Sequence, residues 1–132
     1  MTPIEFLFLT GRLLLGGYFV TAAIGHFTKH KMMVGYAASK GVPLASLAIP
    51  GTGLLLLGGG LSVLLGLYPL VGLGLLALFL VGVTPMMHDF WKETDPMQRM
   101  AQQTHFMKNA ALLGAVLALS VLGSTWPYAL HL

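Results

Sequence analysis

Four long apolar stretches, separated by shorter polar segments, form the dominant pattern along the chain. They cover residues 3–27, 44–67, 69–90 and 104–122. A helix needs about 20 apolar residues to cross the hydrocarbon core of a bilayer, and each stretch approaches that length. Pro3 and Pro69 stand where the first and third stretches begin, a position that proline tolerates in a helix. The pattern predicts an all-α polytopic membrane protein whose single domain, 1–132, is an antiparallel four-helix transmembrane bundle.

Composition agrees with this class. The chain is 56% hydrophobic and 8% charged, whereas a soluble domain has about 25% charged residues. It has no cysteine, which excludes a disulfide framework, a thiolate nucleophile and a Cys-ligated metal centre. The net charge of +3 comes from cations beside apolar spans and not from a basic face, so no nucleic-acid partner is expected. The chain is therefore expected to interact with the lipid bilayer.

Charge distribution predicts the orientation in the membrane. All basic residues except Arg12 lie in or next to two segments, 28–43 and 91–103: Lys29, Lys31, Lys40, Lys92, Arg99 and Lys108. Because cytoplasmic loops carry an excess of Lys and Arg, both segments are expected to be cytoplasmic loops and both termini to lie outside. The expected location is a cell (inner) membrane, crossed several times.

Arg12 interrupts the first apolar stretch. A cation deep in hydrocarbon costs about 3 kcal/mol on insertion scales unless it finds a partner or a cavity, which favours a functional role. The alternative is that Arg12 snorkels to the nearer interface beside Glu5. Glu5, Arg12, Phe19 and His26 are spaced by seven and share one stripe of a helix. Since His26 lies about 21 Å from Arg12 along such a helix, Arg12 is expected to be a separate anchor or the far end of a long pocket.

Polar residues recur on single faces of the third and fourth predicted spans as well. Their spacing is i, i+4, i+7 in the third span and i, i+3, i+4 in the fourth, which predicts a polar pocket inside the bundle. With His26, the candidate residues near the cytoplasmic interface are His88, Trp91, His105, Lys108 and Asn109. For each there is a structural alternative: an interfacial histidine, a tryptophan of the aromatic belt, or a lysine that snorkels to lipid phosphate. His30 and His131 are expected to be solvated.

These residue types suit a quinone. Lys108 and Asn109 can donate hydrogen bonds to its carbonyl oxygens, and a histidine such as His88 can deliver protons near neutral pH. His88 and Lys108 are therefore the candidate catalytic residues, and Trp91 with Phe90 would flank the ring. Haem is not favoured, because no i, i+4 histidine pair and no C-x-x-C-H occurs. No metal site is expected either, since carboxylates are few and no ligand spacing is present.

The series of motifs along the chain resembles the DoxX family of small four-span membrane proteins. The resemblance covers nearly the whole chain, and its most specific parts are the last two motifs. The motifs are R-L-L-L-G-G-Y-F at 12–19, G-H-F at 25–27, G-V-P at 41–43, G-G-G-L-S-V-L-L-G at 58–66, T-P-M-M-H-D-F-W at 84–91 and F-M-K-N-A-A-L-L-G at 106–114.

The family is named for a subunit of a thiosulfate:quinone oxidoreductase, and relatives are linked with quinone handling and respiratory chains. The resemblance therefore implies a four-helix membrane bundle with a quinone connection. By position it carries function to six residues: Arg12, His26, His88, Trp91, Lys108 and Asn109. It does not imply that this chain oxidises thiosulfate, because the sequence shows no redox centre of its own. Whether the chain is an enzyme stays open.

Three functions remain as alternatives. The first is a quinone-binding subunit, or a small quinone-linked member of a membrane oxidoreductase system. The second is a non-catalytic assembly or scaffold subunit, whose glycine faces and charged 92–99 segment recruit a membrane or peripheral redox protein. The third is a carrier of a small lipophile. The glycine-rich faces would also suit a homo-oligomer.

Overall fold

The computed structural model describes residues 1–130, and this part of the chain is built from five α-helices and one short 3₁₀ turn, with no β-strand. The helices are α1 (Pro3–Thr28), α2 (His30–Ser39), α3 (Ala45–Leu65), α4 (Pro69–Met87) and α5 (Pro96–Ser120), with the 3₁₀ turn at Phe90–Lys92. The all-α prediction is confirmed. His131, predicted to be solvated, lies outside the described residues.

Three stretches are long and apolar enough to cross a membrane within residues 1–130. They are Pro3–Thr28, Ala45–Leu65, and Pro69–Lys92, which is α4 continued through the 3₁₀ turn. The predicted fourth span, 104–122, falls on α5, which is 25 residues long but is not among them. The first half of α5 carries most of its polar residues, including Arg99 and Lys108, and this lowers the mean hydropathy of the helix.

The amino end of α1 is closed by a capping box. Thr2 Oγ1 accepts a hydrogen bond from the backbone N–H of Glu5 at 3.2 Å, and Glu5 Oε2 accepts one from the N–H of Thr2 at 2.7 Å. These bonds satisfy two of the four free N–H groups of the first turn. Glu5 is therefore engaged in the helix cap, and the alternative in which Glu5 accompanies a snorkelling Arg12 is wrong.

Both predicted cytoplasmic loops contain helix. In 28–43, residues His30–Ser39 form α2. In 91–103, α5 begins at Pro96, because Asp95 caps its first turn by accepting from the N–H of Gln98 at 3.1 Å and proline occupies the first helical position. The sequence predicts loops here because both segments lie between apolar spans and carry basic residues, but a helix too short or too polar to cross a membrane can still form outside it.

The long helices pack in the order α1, α3, α4, α5, and α2 lies against α3. Close approach between α1 and α3 depends on glycine, because a Cβ on Gly16 would lie 2.9 Å from the carbonyl oxygen of Gly60 and 2.8 Å from the backbone nitrogen of Leu64. Nearer the other end, a Cβ on Gly53 would meet His26 at 3.0 Å, so the two helices run antiparallel. Small residues thus bring the backbones together, as is typical of helices in bilayers.

The larger of two buried apolar clusters within residues 1–130 spans the four long helices and reaches the C-terminal segment: Phe19, Ala23, Leu56, Val63, Leu73, Leu76, Phe79, Leu80, Val116 and Trp126. The smaller one joins Ala37 of α2 to Ala45 and Ile49 of α3. Large apolar side chains also cover the outside; Ile4 is 79% exposed, Leu14 71% and Leu78 63%. A soluble protein does not leave so much apolar surface in water, whereas a bilayer solvates it.

Candidate functional site

A cavity of about 630 Å³ lies between the helices, and all five helices contribute to its wall. Its lining is mainly aliphatic, aromatic and methionine side chains, among them Phe19, Met33, Ile49, Leu56, Phe79 and Met87. Sites for small molecules commonly have volumes of about 300–1,000 Å³ and an apolar wall with a few polar groups. The cavity therefore has the size and character of a site for a lipophilic molecule.

Four of the seven predicted site residues line this cavity: His26, His88, Lys108 and Asn109. They come from α1, the residue after α4, and α5, so the fold brings together residues up to 83 positions apart in sequence. His26 and Asn109 are buried, at 8% and 7% exposure. These four polar residues thus lie in the wall of one mainly apolar cavity, rather than in a pocket that is polar throughout.

The polar groups differ in what they bind within the protein. His26 Nδ1 lies 2.9 Å from the carbonyl oxygen of Ala22, one turn earlier in α1. The Lys108 ammonium lies 5.5 Å from the ring centroid of Tyr18, a cation–π distance. Asn109, by contrast, makes no side-chain hydrogen bond within residues 1–130.

His88 is held by two neighbours on α5. Its Nδ1 lies 2.8 Å from Oε1 of Gln102, and its ring stacks on that of His105 with centroids 5.1 Å apart and an interplanar angle of 26°. Gln102 in turn contacts Tyr36 of α2. These contacts fix the position of the His88 ring at the edge of the cavity.

Two predicted residues lie near the cavity without lining it. The His105 ring stacks on that of His88, and His105 is itself exposed. Trp91 is 49% exposed and packs edge-to-face against Phe90 and Phe106, with centroids 5.4 Å and 5.9 Å away. Trp91 therefore belongs to an aromatic cluster between the 3₁₀ turn and α5.

Arg12 does not line the cavity and lies six residues before Tyr18, the first residue of α1 that does. It is buried, at 2% exposure, and its guanidinium donates to three carbonyl oxygens: Val63 at 3.1 Å, Leu64 at 3.1 Å and Pro127 at 2.6 Å. The ring of Trp126 lies 5.6 Å away. Arg12 thus joins the end of α3 to the C-terminal segment, and nothing in its surroundings connects it to the pocket.

An ion-pair cluster lies at the carboxyl end of α2. The Lys40 ammonium lies 2.6 Å from Asp89 and 3.2 Å from Glu93, with only 14% of the Lys40 side chain exposed. The hydrogen bond that Lys40 donates to Asp89 raises the pKa of Lys40 above its ordinary value, so Lys40 stays charged at neutral pH. The cluster ties the end of α2 to the segment after α4, next to His88.

Sequence reasoning missed the contribution of α2 and of two tyrosines. Met33, Tyr36 and Ala37 of α2 line the cavity, as does Tyr18 of α1. Tyr18 lies in the R-L-L-L-G-G-Y-F motif at 12–19, but no role was assigned to it, and Tyr36 stands in a predicted loop. The available signal was the repeat Met33, Tyr36, Ala37 at i, i+3, i+4, which is typical of one apolar helix face.

Within residues 1–130 there is no group of three or more His, Asp or Glu side chains that could hold a metal ion. The polar side chains that line the cavity are hydrogen-bond donors and acceptors. Lysine, amide and imidazole groups in an apolar wall can orient an oxygen-bearing ring.

The comparison with protein-family models decides the family. The DoxX model matches residues 7–89, more than half of the chain. The chain belongs to the DoxX family. No curated protein matches it. No solved structure matches it.

The DoxX match ends at Asp89 and so includes Arg12, His26 and His88. The resemblance of the F-M-K-N motif at 106–109 to the family lies beyond the matched residues. The α5 contribution to the cavity, Lys108 and Asn109, is thus supported by geometry and not by the family match.

Proposed function

We propose that this DoxX-family membrane protein binds a quinone or a similar ring-bearing lipophile in the cavity between its helices, as a subunit of a membrane oxidoreductase system. The observation that carries this proposal is the cavity of about 630 Å³ with His26, His88, Lys108 and Asn109 in an otherwise apolar wall. A quinone likewise combines polar carbonyl groups on its ring with an apolar tail.

The amide of Asn109 supports a bound polar group. The residue is 7% exposed and lines the cavity. Its amide atoms are not among the fully buried side-chain atoms without a partner, which within residues 1–130 are Thr84 Oγ1 and Trp126 Nε1. The amide NH₂ is therefore accessible from the cavity and can donate a hydrogen bond. A ligand carbonyl would accept from Asn109 and from the Lys108 ammonium.

The proposal includes four membrane crossings. α5 is long enough for a fourth, since 25 residues extend about 37 Å, and its second half is apolar. Its polar first half would lie at the cytoplasmic interface with α2 and the 3₁₀ turn, and both termini would lie outside. This arrangement puts the ends of α1 and α4 and the start of α5 at one membrane surface, where the His88 side of the cavity lies.

In this proposal the chain binds the quinone and exchanges protons with it, and a partner redox protein supplies or removes the electrons. In this role Lys108 and Asn109 hold the ligand oxygen and His88 exchanges its proton. The assembly alternative depended on glycine faces and on the charged 92–99 segment. Gly16, Gly59, Gly60 and Gly72 are used for packing between helices of the same chain, whereas Gly17, Gly51, Gly74 and Gly82 have nothing within 4 Å of an added Cβ.

The test is to purify the protein in mild detergent, extract it with organic solvent and quantify bound lipophiles per chain by mass spectrometry. We expect a near-stoichiometric quinone in the wild type and its loss in Lys108→Met and Asn109→Leu. Lys31→Met is the matched control, because Lys31 is exposed on α2 and does not line the cavity.

Only bulk phospholipid in all four samples would contradict the binding function. Co-purifying proteins, lost on charge reversal of Lys92 and Arg99, would then favour the assembly function. Transport of an added quinone across liposomes would instead indicate a carrier.

A further inference from the structure

A chain of hydrogen bonds leads from the end of α4 through α2 and α5 to His88. The Tyr36 hydroxyl lies 3.1 Å from the carbonyl oxygen of Met87, and Gln102 Nε2 lies 3.1 Å from the Tyr36 oxygen. Gln102 Oε1 then lies 2.8 Å from His88 Nδ1. Three helices and the residue after α4 thus contribute to one continuous chain.

The direction of each hydrogen bond follows from its first member. A carbonyl oxygen only accepts, so the Tyr36 O–H donates to Met87. The Tyr36 oxygen, its proton so engaged, accepts from the amide NH₂ of Gln102. The amide oxygen of Gln102 therefore faces His88, and it accepts from an Nδ1–H.

The opposite direction leaves one bond unmade. If the Gln102 amide were turned over, Tyr36 would donate to the amide oxygen and the NH₂ would donate to His88. The Met87 carbonyl would then lose the Tyr36 hydroxyl. That carbonyl lies in the last turn of α4, where carbonyl groups lack an intrahelical donor. The first arrangement makes three hydrogen bonds and the reversed one makes two, so the first is favoured.

This assignment determines the chemistry of the other ring nitrogen. In a neutral histidine with its proton on Nδ1, Nε2 carries a lone pair and can only accept. Nε2 makes no hydrogen bond within residues 1–130, and the stack on His105 restrains the ring plane. Because His88 lines the cavity, Nε2 is the polar atom that it has left for a ligand.

We propose that His88 accepts a hydrogen bond from a hydroxyl group of the lipophile in the cavity, with Gln102 and Tyr36 as positioning residues that hold the proton on Nδ1. This inference rests on the proposed function and defines its substrate class. The cavity would select a hydroxyl-bearing ring, a quinol or phenol, at its His88 end. The donors Lys108 and Asn109 would hold an oxygen elsewhere on the same molecule.

The tautomer can be measured without any ligand. In protein labelled with ¹⁵N-histidine, two-bond ¹H–¹⁵N correlation spectra distinguish an Nδ1–H from an Nε2–H imidazole, and His88→Leu identifies the signal. We expect the Nδ1–H form in the wild type and a shift toward Nε2–H in Tyr36→Phe, where Gln102 can turn over. Tyr68→Phe is the control, because the Tyr68 side chain is 70% exposed and makes no hydrogen bond within residues 1–130. An Nε2–H or doubly protonated His88 in the wild type at neutral pH would overturn the inference.

Binding is compared with 4-decylphenol and 4-decylanisole, which differ only in whether the ring oxygen can donate. Each probe also partitions into detergent micelles, but this affects every variant equally. We therefore compare the ratio of the two dissociation constants between variants. We expect the phenol to bind about tenfold tighter in the wild type, the scale of one good hydrogen bond, and most of that preference to disappear in Tyr36→Phe. Gln102→Leu gives the same test if Tyr36→Phe does not fold, and Gln102 does not line the cavity.

The outcomes separate the two proposals. Equal binding of both probes by the wild type would overturn the role of His88 while leaving a lipophile site in place. A phenol preference that survives Tyr36→Phe and Gln102→Leu would overturn the positioning roles. Binding of neither probe, with no quinone in the extract, would overturn the proposed function and this inference together.

Discussion

Arg12 Nη1 donates a 2.6 Å hydrogen bond to the carbonyl oxygen of Pro127, joining two residues 115 positions apart in the sequence. The same guanidinium also donates to two carbonyls at the end of α3. Carbonyl groups at a helix end have no intrahelical donor, and water is scarce inside a membrane protein. The cation that the sequence marks as exceptional thus satisfies carbonyl groups that α3 and the C-terminal segment leave open.

Replacing Arg12 should destabilise the fold more than it affects the cavity. We expect Arg12→Met to lower the free energy of unfolding by about 3 kcal/mol, because three carbonyls lose a charged donor. Thermal unfolding in detergent measures this loss, and limited proteolysis should show earlier cleavage in 121–130. Arg99→Met, at an exposed position on α5, is the control. Equal melting temperatures for the two variants would contradict the structural role of Arg12.

Gly66 is required for two reasons at once. Its φ is +74°, and an added Cβ would lie 2.8 Å from both Arg12 Nη2 and Ala129 Cβ. Gly123 has nearly the same φ, +73°, with open space around it. Gly123→Ala should therefore cost only the left-handed backbone strain, about 1 kcal/mol, and Gly66→Ala clearly more. Thermal melts of the two variants compare these costs; equal losses would show that the contact with Arg12 is unimportant.

The contact between α1 and α3 should be sensitive at Gly16 and insensitive at Gly17. A Cβ on Gly16 meets the α3 backbone under 3.0 Å away, whereas a Cβ on Gly17 has nothing within 4 Å. We expect Gly16→Ala to destabilise by about 2 kcal/mol, the scale of overpacking. Gly17→Ala should be neutral or slightly stabilising, because alanine favours helix. Chemical or thermal unfolding of this pair checks the prediction, which fails if both changes have the same effect.

The Lys40 ion pairs should hold α2 over the cavity. Lys40→Met leaves Asp89, whose side chain is 10% exposed, without its nearest cation. We expect a loss of about 2 kcal/mol, between the values for exposed and buried pairs. Hydrogen exchange should be faster in α2, and Asp89→Asn in the same chain should restore part of the loss. Lys29→Met, at an exposed position, is the control. Full additivity of the Lys40 and Asp89 changes would show that this pair does not stabilise the fold.

Filling the cavity should remove the ligand and keep the fold. Ala22 lines the cavity and is partly buried, so a phenylalanine there would occupy ligand space. We expect Ala22→Phe to reduce the extracted lipophile about tenfold, a change equal to about 1.4 kcal/mol of binding free energy. Ala110→Phe, on the exposed face of α5, is the matched control. An unchanged lipophile content in Ala22→Phe would place any bound lipophile elsewhere.

The pattern of apolar residues was sufficient for much of the fold. The helices α1, α3 and α4 lie within a few residues of the predicted spans, because twenty apolar residues in a row have few arrangements other than a membrane helix. The polar stripes were also informative. His26, His88, Lys108 and Asn109 reach one cavity because residues on the inner face of neighbouring helices converge.

Other features had only a weak signal or none. The segment with α2 is short and offers a single apolar repeat, and its position depends on tertiary contacts: it packs against α3, and Tyr36 donates a hydrogen bond to Met87 of α4. Trp91 and Arg12 shared stripes with cavity residues, yet they lie apart from it. A stripe gives the direction of a side chain around its own helix but not the partner it meets.

The sequence by itself therefore determined the membrane class, the all-α fold, three of the helices that could cross a bilayer, and the family, since hydropathy and local motifs are properties of the chain alone. Only the tertiary structure decided that Arg12 binds backbone carbonyls, that α2 lines the cavity, and in which direction the hydrogen bonds to His88 run. Each of these depends on groups that are distant in sequence, and the geometry of a hydrogen bond exists only once the chain has brought those groups together.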